Sequence, residues 1–248
     1  MNSRSRLGIA AAFAVISVSL WLFFNRGSRD GSFAVRGVAM GALAEHLARA
    51  FPADRVLVLA NPFINDPRQP KSVRAMEEAS LRTLKKAMGD ARVVTAFPQL
   101  RLGAQENPQA FIVDSETTTP LSYLIAPDAI DTLVRQHPDC KLIVSLIGLP
   151  VELNRVSAWS EPTGPKFALL LPDLRMIGNS TAISAAMKSG KLVVFVLNKP
   201  GAKLDEQLSG GDVRVAFDRY FLLVTPDNIE ALMRDDPRPF ESGGPLAR

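Results

Sequence analysis

Six short apolar runs constrain this chain more than any other feature: residues 55–60 (RVLVLA), 92–97 (RVVTAF), 141–147 (KLIVSLI), 166–171 (KFALLL), 191–197 (KLVVFVL) and 220–224 (YFLLV). Beyond a leading Lys or Arg they carry no charge, and they are apolar at nearly every position rather than at alternate ones. That is the pattern of a strand buried on both faces. Segments of helical spacing fall between them, one capped by Ser72 and running to Met88 and another opened by Asn179 or Ser180 and stopped by Gly190. Strands alternating with helices predict an α/β fold, a mostly parallel sheet of about six strands with helices on both faces.

A second constraint is internal. Residues 121–139 (LSYLIAPDAIDTLVRQHPD) align without a gap on residues 220–238 (YFLLVTPDNIEALMRDDPR). Identities fall, among others, at Pro127/Pro226, Asp128/Asp227, Ile130/Ile229, Leu133/Leu232, Arg135/Arg234 and Pro138/Pro237. Each copy reads as an apolar strand and then a short helix, with Pro at its first position and Asp in its first turn, where the helix dipole favours an acid. On this reading residues 121–125 are a further strand, and the order helix, strand, long loop, strand, helix occurs twice. It points to an internal duplication, with halves 51–150 and 166–236, or to the same ordinary helix-start signals arising twice.

The α/β region spans residues 51–236, followed by a proline-rich tail, 237–248, expected to fray. In element order it resembles Rossmann-like or flavodoxin-like sheets, or the two lobes of the type I periplasmic solute-binding proteins. The resemblance rests on no diagnostic motif and carries no residue roles with it. Upstream, residues 31–50 read as a Gly/Ser/Arg stalk followed by an amphipathic helix, with Met40, Leu43, Leu47 and Ala50 on its apolar stripe. Residues 1–30 hold an uncharged run, Leu7 to Phe24, whose 18 residues would span roughly 27 Å as a helix, close to the hydrocarbon thickness of a bilayer. Arg4 and Arg6 precede it, Arg26 and Arg29 follow it, and no small-x-small cleavage site stands behind it. It reads as a single-pass signal-anchor holding the domain on the extracytoplasmic (periplasmic) side of the cytoplasmic, or inner, membrane, with a cleaved secretory signal as the alternative.

The net charge of +4 invites a nucleic-acid reading, but its placement removes it. Four of the 29 basic residues lie within residues 1–29, which hold no acid, so the remainder carries 25 basic against 25 acidic side chains. No basic cluster interleaved with aromatics is left to track a phosphate backbone. Cys140 is alone, so neither a disulfide nor a cysteine metal site can be built from it. The two histidines, His46 and His137, stand beside no candidate nucleophile. Neither HExxH, CxxC, GxSxG nor a phosphate-binding glycine loop is present. Nothing in the sequence assigns an enzymatic reaction or a cofactor.

In a doubly wound sheet, ligands bind beyond the carboxyl ends of the strands. The segments just after the apolar runs supply Asn61, Asn65, Asp66, Gln99, Gly148, Asp173, Asn198 and Lys199 as candidate binding residues. Amides, carboxylates, a lysine and a glycine form the polar inventory of a small-molecule cleft, and are equally what turns require. Two functions follow. One is a structural or interaction protein of the cell envelope, meeting a protein partner through the long loops 98–120 and 148–165. The alternative is a small-solute-binding module using the strand-end crevice. The segments 98–120 and 198–219 occupy equivalent places in the two halves yet differ, which marks them as the places where recognition would reside.

Overall fold

The computed structural model describes residues 29–115, 117–202 and 213–241, so the apolar run Leu7 to Phe24 lies outside it. In chain order the elements are α1 (Arg29–Ala50), β1 (Arg55–Leu59), α2 (Lys71–Met88), β2 (Val93–Ala96), α3 (Ala129–Gln136), β3 (Cys140–Ser145) and β4 (Lys166–Leu170). They continue with α4 (Ser180–Lys188), β5 (Leu192–Asn198), α5 (Val213–Tyr220), β6 (Phe221–Val224) and α6 (Ile229–Asp235). Among the described residues no helix is long and apolar enough to cross a membrane.

All six apolar runs form strands of one sheet, in the order β2-β1-β3-β4-β5-β6. The first five are parallel, and β6 lies antiparallel on β5. Alternate residues of each central strand enter opposite cores, as the two-residue period demands. Leu57, Leu59, Ile143, Phe167, Leu169 and Phe195 join α3, α4 and α6 on one face. Val56, Val58, Leu142, Val144, Ala168, Val194 and Val196 join α1, α2 and α5 on the other. The helices therefore cover both faces, and the runs are apolar throughout because neither set of side chains reaches water.

Four sequence expectations are corrected. Residues 29–37 belong to α1 rather than to a stalk, because extending an established helix costs far less than starting one. That helix is an integral layer of the domain: Met40, Leu43 and Leu47 are fully buried, worth roughly 5–9 kcal/mol of gross transfer free energy, although Ala50 is exposed. Ser72 lies inside α2, whose N-cap is Pro70. Residues 121–125 are not a strand. Pro120, at φ −58° and ψ −28°, opens a single helical turn, Leu121–Leu124, and only Ile125 is extended, bridging Leu100 once in antiparallel sense. The two aligned copies thus share their helices, α3 and α6, but not the element before them. The tail does not begin to fray at 237, since Phe240 is fully buried in the core of α3, α4 and α6.

Two residues fix the loops at the opposite end of the sheet. The ammonium of Lys191, itself buried, donates to the carbonyls of Ala158, Glu161 and Pro165 at 3.0, 2.6 and 3.2 Å. It thereby closes the connection between β3 and β4. Asp131 of α3 accepts from the amides of Ser157 and Ala158, ordering the helical turn Ser157–Ser160.

Candidate functional site

Strand order reverses between β1 and β3, since β2 lies on one side of β1 and β3 to β5 on the other. In such sheets the crevice at that point is the usual ligand site. Here the chain itself occupies it. Tyr123 and Ile125 are buried in one core with Leu59, Ile147 and Leu149. Gly148, at φ +83°, lies so close to the turn beneath it that a Cβ there would stand 2.7 Å from Ser122 Oγ and 2.9 Å from Thr119 Cβ. Ser122 Oγ in turn donates to Thr119 Oγ1 at 3.0 Å.

The segment that fills the crevice is tied at both ends. Arg101 N donates to Leu124 O at 2.8 Å and Ala126 N to Gln99 O at 2.9 Å, forming a narrow neck around the Leu100–Ile125 bridge. Farther along, Thr117 Oγ1 donates to Asp173 Oδ2 at 3.0 Å. Arg175 forks between Asp173 and Asp114, with Nη2 and Nη1 each 2.6 Å from a carboxylate oxygen. Burial alone would raise the Asp173 carboxyl, but hydrogen bonds from Arg175 and Thr117 outweigh it and hold the group below its ordinary range. The chain reaches Asp173 from β4 through Leu171 at φ +50°, a left-handed value that costs a non-glycine residue about 1–2 kcal/mol.

With the central crevice closed, the open space lies one strand outward. A cleft of about 790 Å³ runs beyond the carboxyl ends of β1 and β2, between residues 62–68 and 98–106. Asn65, Asp66 and Gln99 line it, together with Arg68, Arg101, Gln105 and Glu106. Asp66 and Arg68 form a two-toothed pair, with Nε and Nη2 at 3.0 and 2.6 Å. The hydrogen bonds from Arg68 hold the Asp66 carboxyl down at about 2, so it is anionic at any physiological pH. Arg101 Nη2 stands 3.4 Å from Glu152 Oε2, while its Nε is buried without a hydrogen-bond partner. The charged lining residues, two arginines and two acids, cancel.

The remaining candidates are dispersed. Asn61 is buried behind the cleft, where Oδ1 accepts from Phe63 N and Nδ2 donates to Glu77, each at 2.9 Å. Gly148 and Asp173 hold the segment that closes the crevice. Asn198 and Lys199 lie at the β5–β6 end, where Lys199 N donates to Tyr220 O at 2.8 Å and its ammonium reaches the Asp218 carbonyl. Arg68, Arg101, Gln105 and Glu106 escaped sequence reasoning because charged and amide residues in a loop look solvated. The signal that could have found them was position, within the long loops after β1 and β2. Among the described residues no group of His, Cys, Asp and Glu stands together as a metal site.

No protein-family model matches the chain, and no curated protein matches it. Solved structures do. One is a carbohydrate transporter from Acidothermus cellulolyticus in complex with myo-inositol, at 13% identity and TM-score 0.49, covering 83% of this chain and 62% of that one. Another is an ABC transporter solute-binding protein from Mycobacterium smegmatis with bound glycerol, at 15% identity and TM-score 0.45, covering 90% and 65%. A third is an ABC transporter solute-binding protein from Agrobacterium vitis bound with α-D-tagatopyranose, at 10% identity and TM-score 0.44, covering 84% and 61%. The chain spans about three fifths of the length of the structures it matches. At such identities and TM-scores these likenesses say nothing of what this chain binds.

Proposed function

We propose that the protein is a small-solute-binding module, tethered to the membrane by its N-terminal apolar run and exposing its α/β domain on the extracytoplasmic side. The observation that carries this reading is the cleft beyond β1 and β2. Its volume lies within the range of small-ligand sites, roughly 300–1,000 Å³. Its charged lining residues sum to zero, and Asp66 with Arg68 and Arg101 with Glu152 are paired, so the cleft offers a charged ligand no net attraction. The amides of Asn65, Gln99 and Gln105 offer donors and acceptors to a neutral, hydroxyl- or amide-bearing solute. No group in the cleft is arranged as a nucleophile beside a base, which favours binding over turnover.

A thermal-shift screen of the protein against sugars, polyols, amino acids and small acids tests this. A ligand present at about a hundred times its Kd stabilises by about 2.7 kcal/mol, a rise in Tm of about 5–10 °C for a domain of this size. That rise should disappear in the double variant Asn65→Ala/Gln99→Ala. A screen in which no neutral solute raises Tm overturns the proposal. Protease accessibility of the domain in intact cells, compared with cells whose outer envelope is disrupted, tests its side of the membrane.

A second reading is favoured by one observation. Leu102, on one wall of the cleft, and Val113, farther along the same loop, are 100% and 79% exposed. An envelope protein partner meeting residues 98–120 would cover them. A photo-crosslinker at position 102 that captures one defined membrane protein in intact cells would support this reading, and crosslinking to water alone would sink it.

A further inference from the structure

We propose that Glu77 is the positioning residue of the cleft, holding the wall formed by residues 61–68 through Asn61. The proposal rests on reading the cleft as a binding site and concerns what keeps it in shape. Asn61 is the second residue after β1, and its side chain bonds in two directions. Oδ1 accepts from Phe63 N at 2.9 Å, bending the chain into the wall, and Nδ2 donates to Glu77 Oε1 at 2.9 Å. Backbone bonds extend the bend, Ile64 N to Asn61 O at 3.1 Å and Asp66 N to Phe63 O at 2.8 Å. Phe63, Asn65, Asp66 and Arg68 all line the cleft downstream of that one amide.

Glu77 belongs to α2, on the face of the sheet shared with α1. Its Oε2 is buried and has no hydrogen-bond partner. Burial raises the carboxyl above its ordinary value, against the hydrogen bond from Asn61 and the charge of Arg36, which lower it. Arg36 is anchored across the core, donating from Nη2 to Leu146 O at the end of β3 at 2.9 Å, and its own Nε is buried and unpartnered. The neutral amide of Asn61 is the hydrogen-bond partner of the carboxylate, and Arg36 of α1 acts on it through its charge. From α2 itself, Arg74 Nη2 donates to Asp66 O at 3.3 Å, while its Nε is buried without a partner.

A charged acceptor makes a hydrogen bond roughly twice as strong as a neutral one. Protonating Glu77 therefore weakens its hold on Asn61, and the wall loosens as pH falls.

Amide hydrogen exchange on the full chain reads this without any ligand. In Glu77→Ala, the amides of Phe63, Ile64 and Asp66 should exchange about tenfold faster or more, while those of β3 and β4 keep their protection. Glu77→Gln, which retains an acceptor for Asn61, should restore most of that protection at neutral pH. Corrected for intrinsic exchange, the wild-type wall should show a titration above pH 4.5. Glu77→Gln should show none, and Arg36→Met should move the titration to higher pH. Equal exchange of the wall in Glu77→Ala and wild type overturns the proposal, as does a pH profile of Glu77→Gln that follows the wild type. Should Glu77→Ala fail to fold, the profiles of Glu77→Gln and Arg36→Met decide. If no solute binds the wild type, the reading of the cleft fails while the exchange experiment still decides the role of Glu77.

Discussion

A glycine can be required by its backbone or by the space its missing side chain leaves, and the two requirements separate in this chain. Gly148 and Gly190 both take left-handed φ values, +83° and +73°. Around Gly190 a Cβ would meet nothing within 4 Å, whereas at Gly148 it would stand 2.7 Å from Ser122 Oγ. Gly190→Ala should therefore cost only the backbone term, about 1 kcal/mol. Gly148→Ala adds a clash with a buried turn and should cost about 2–4 kcal/mol, comparable to overpacking a core. Urea midpoints of the two variants check the difference, and equal costs would show that the turn at 119–122 yields freely. Such pairing also explains why Gly148 stands at a strand end without offering itself to a ligand.

At the scale of elements, the sheet was legible because its strands are buried on both faces: unbroken apolar runs such as 141–147 and 191–197, bounded by Pro or Gly, have few other readings. Residues 121–125 misled because a run of four or five apolar residues suits a strand or a buried helical turn equally, and Pro120 chose the turn. The start of α1 was hidden for another reason: a Gly/Ser/Arg composition suggests a linker, and only residues 38–50 show helical periodicity. That part is central to stability. Leu43→Ala, at a fully buried position, should cost about 2–5 kcal/mol, while Leu102→Ala, at a fully exposed one, should stay within about 0.5 kcal/mol. Chemical denaturation of both variants tests whether α1 is a structural layer. A small loss for Leu43→Ala would return it to the role of a tether.

For the whole molecule, sequence position placed the candidates at the carboxyl ends of the strands but did not tell which of them line open space there. Asn61, Gly148 and Asp173 follow strands as a binding residue should, yet their partners, Glu77, Ser122 and Arg175, come from distant segments, and no local pattern announces them. Burial of Glu77 carries a consequence for global stability that runs opposite to its effect on the cleft. Its folded pKa is raised above the unfolded value of 4.5, chiefly by desolvation. Between those two values the folded protein holds a proton that the unfolded chain has lost, so stability falls as pH rises through that window. Wild type should therefore lose stability relative to Glu77→Gln as pH rises above 4.5 and level off once the folded carboxyl has ionised. Over the same range the 61–68 wall should become better protected from exchange. Urea unfolding and amide exchange measured on the same pH series would show the opposed trends if a buried carboxylate spends global stability to keep the cleft in shape. Parallel trends would mean that the wall merely follows the stability of the domain.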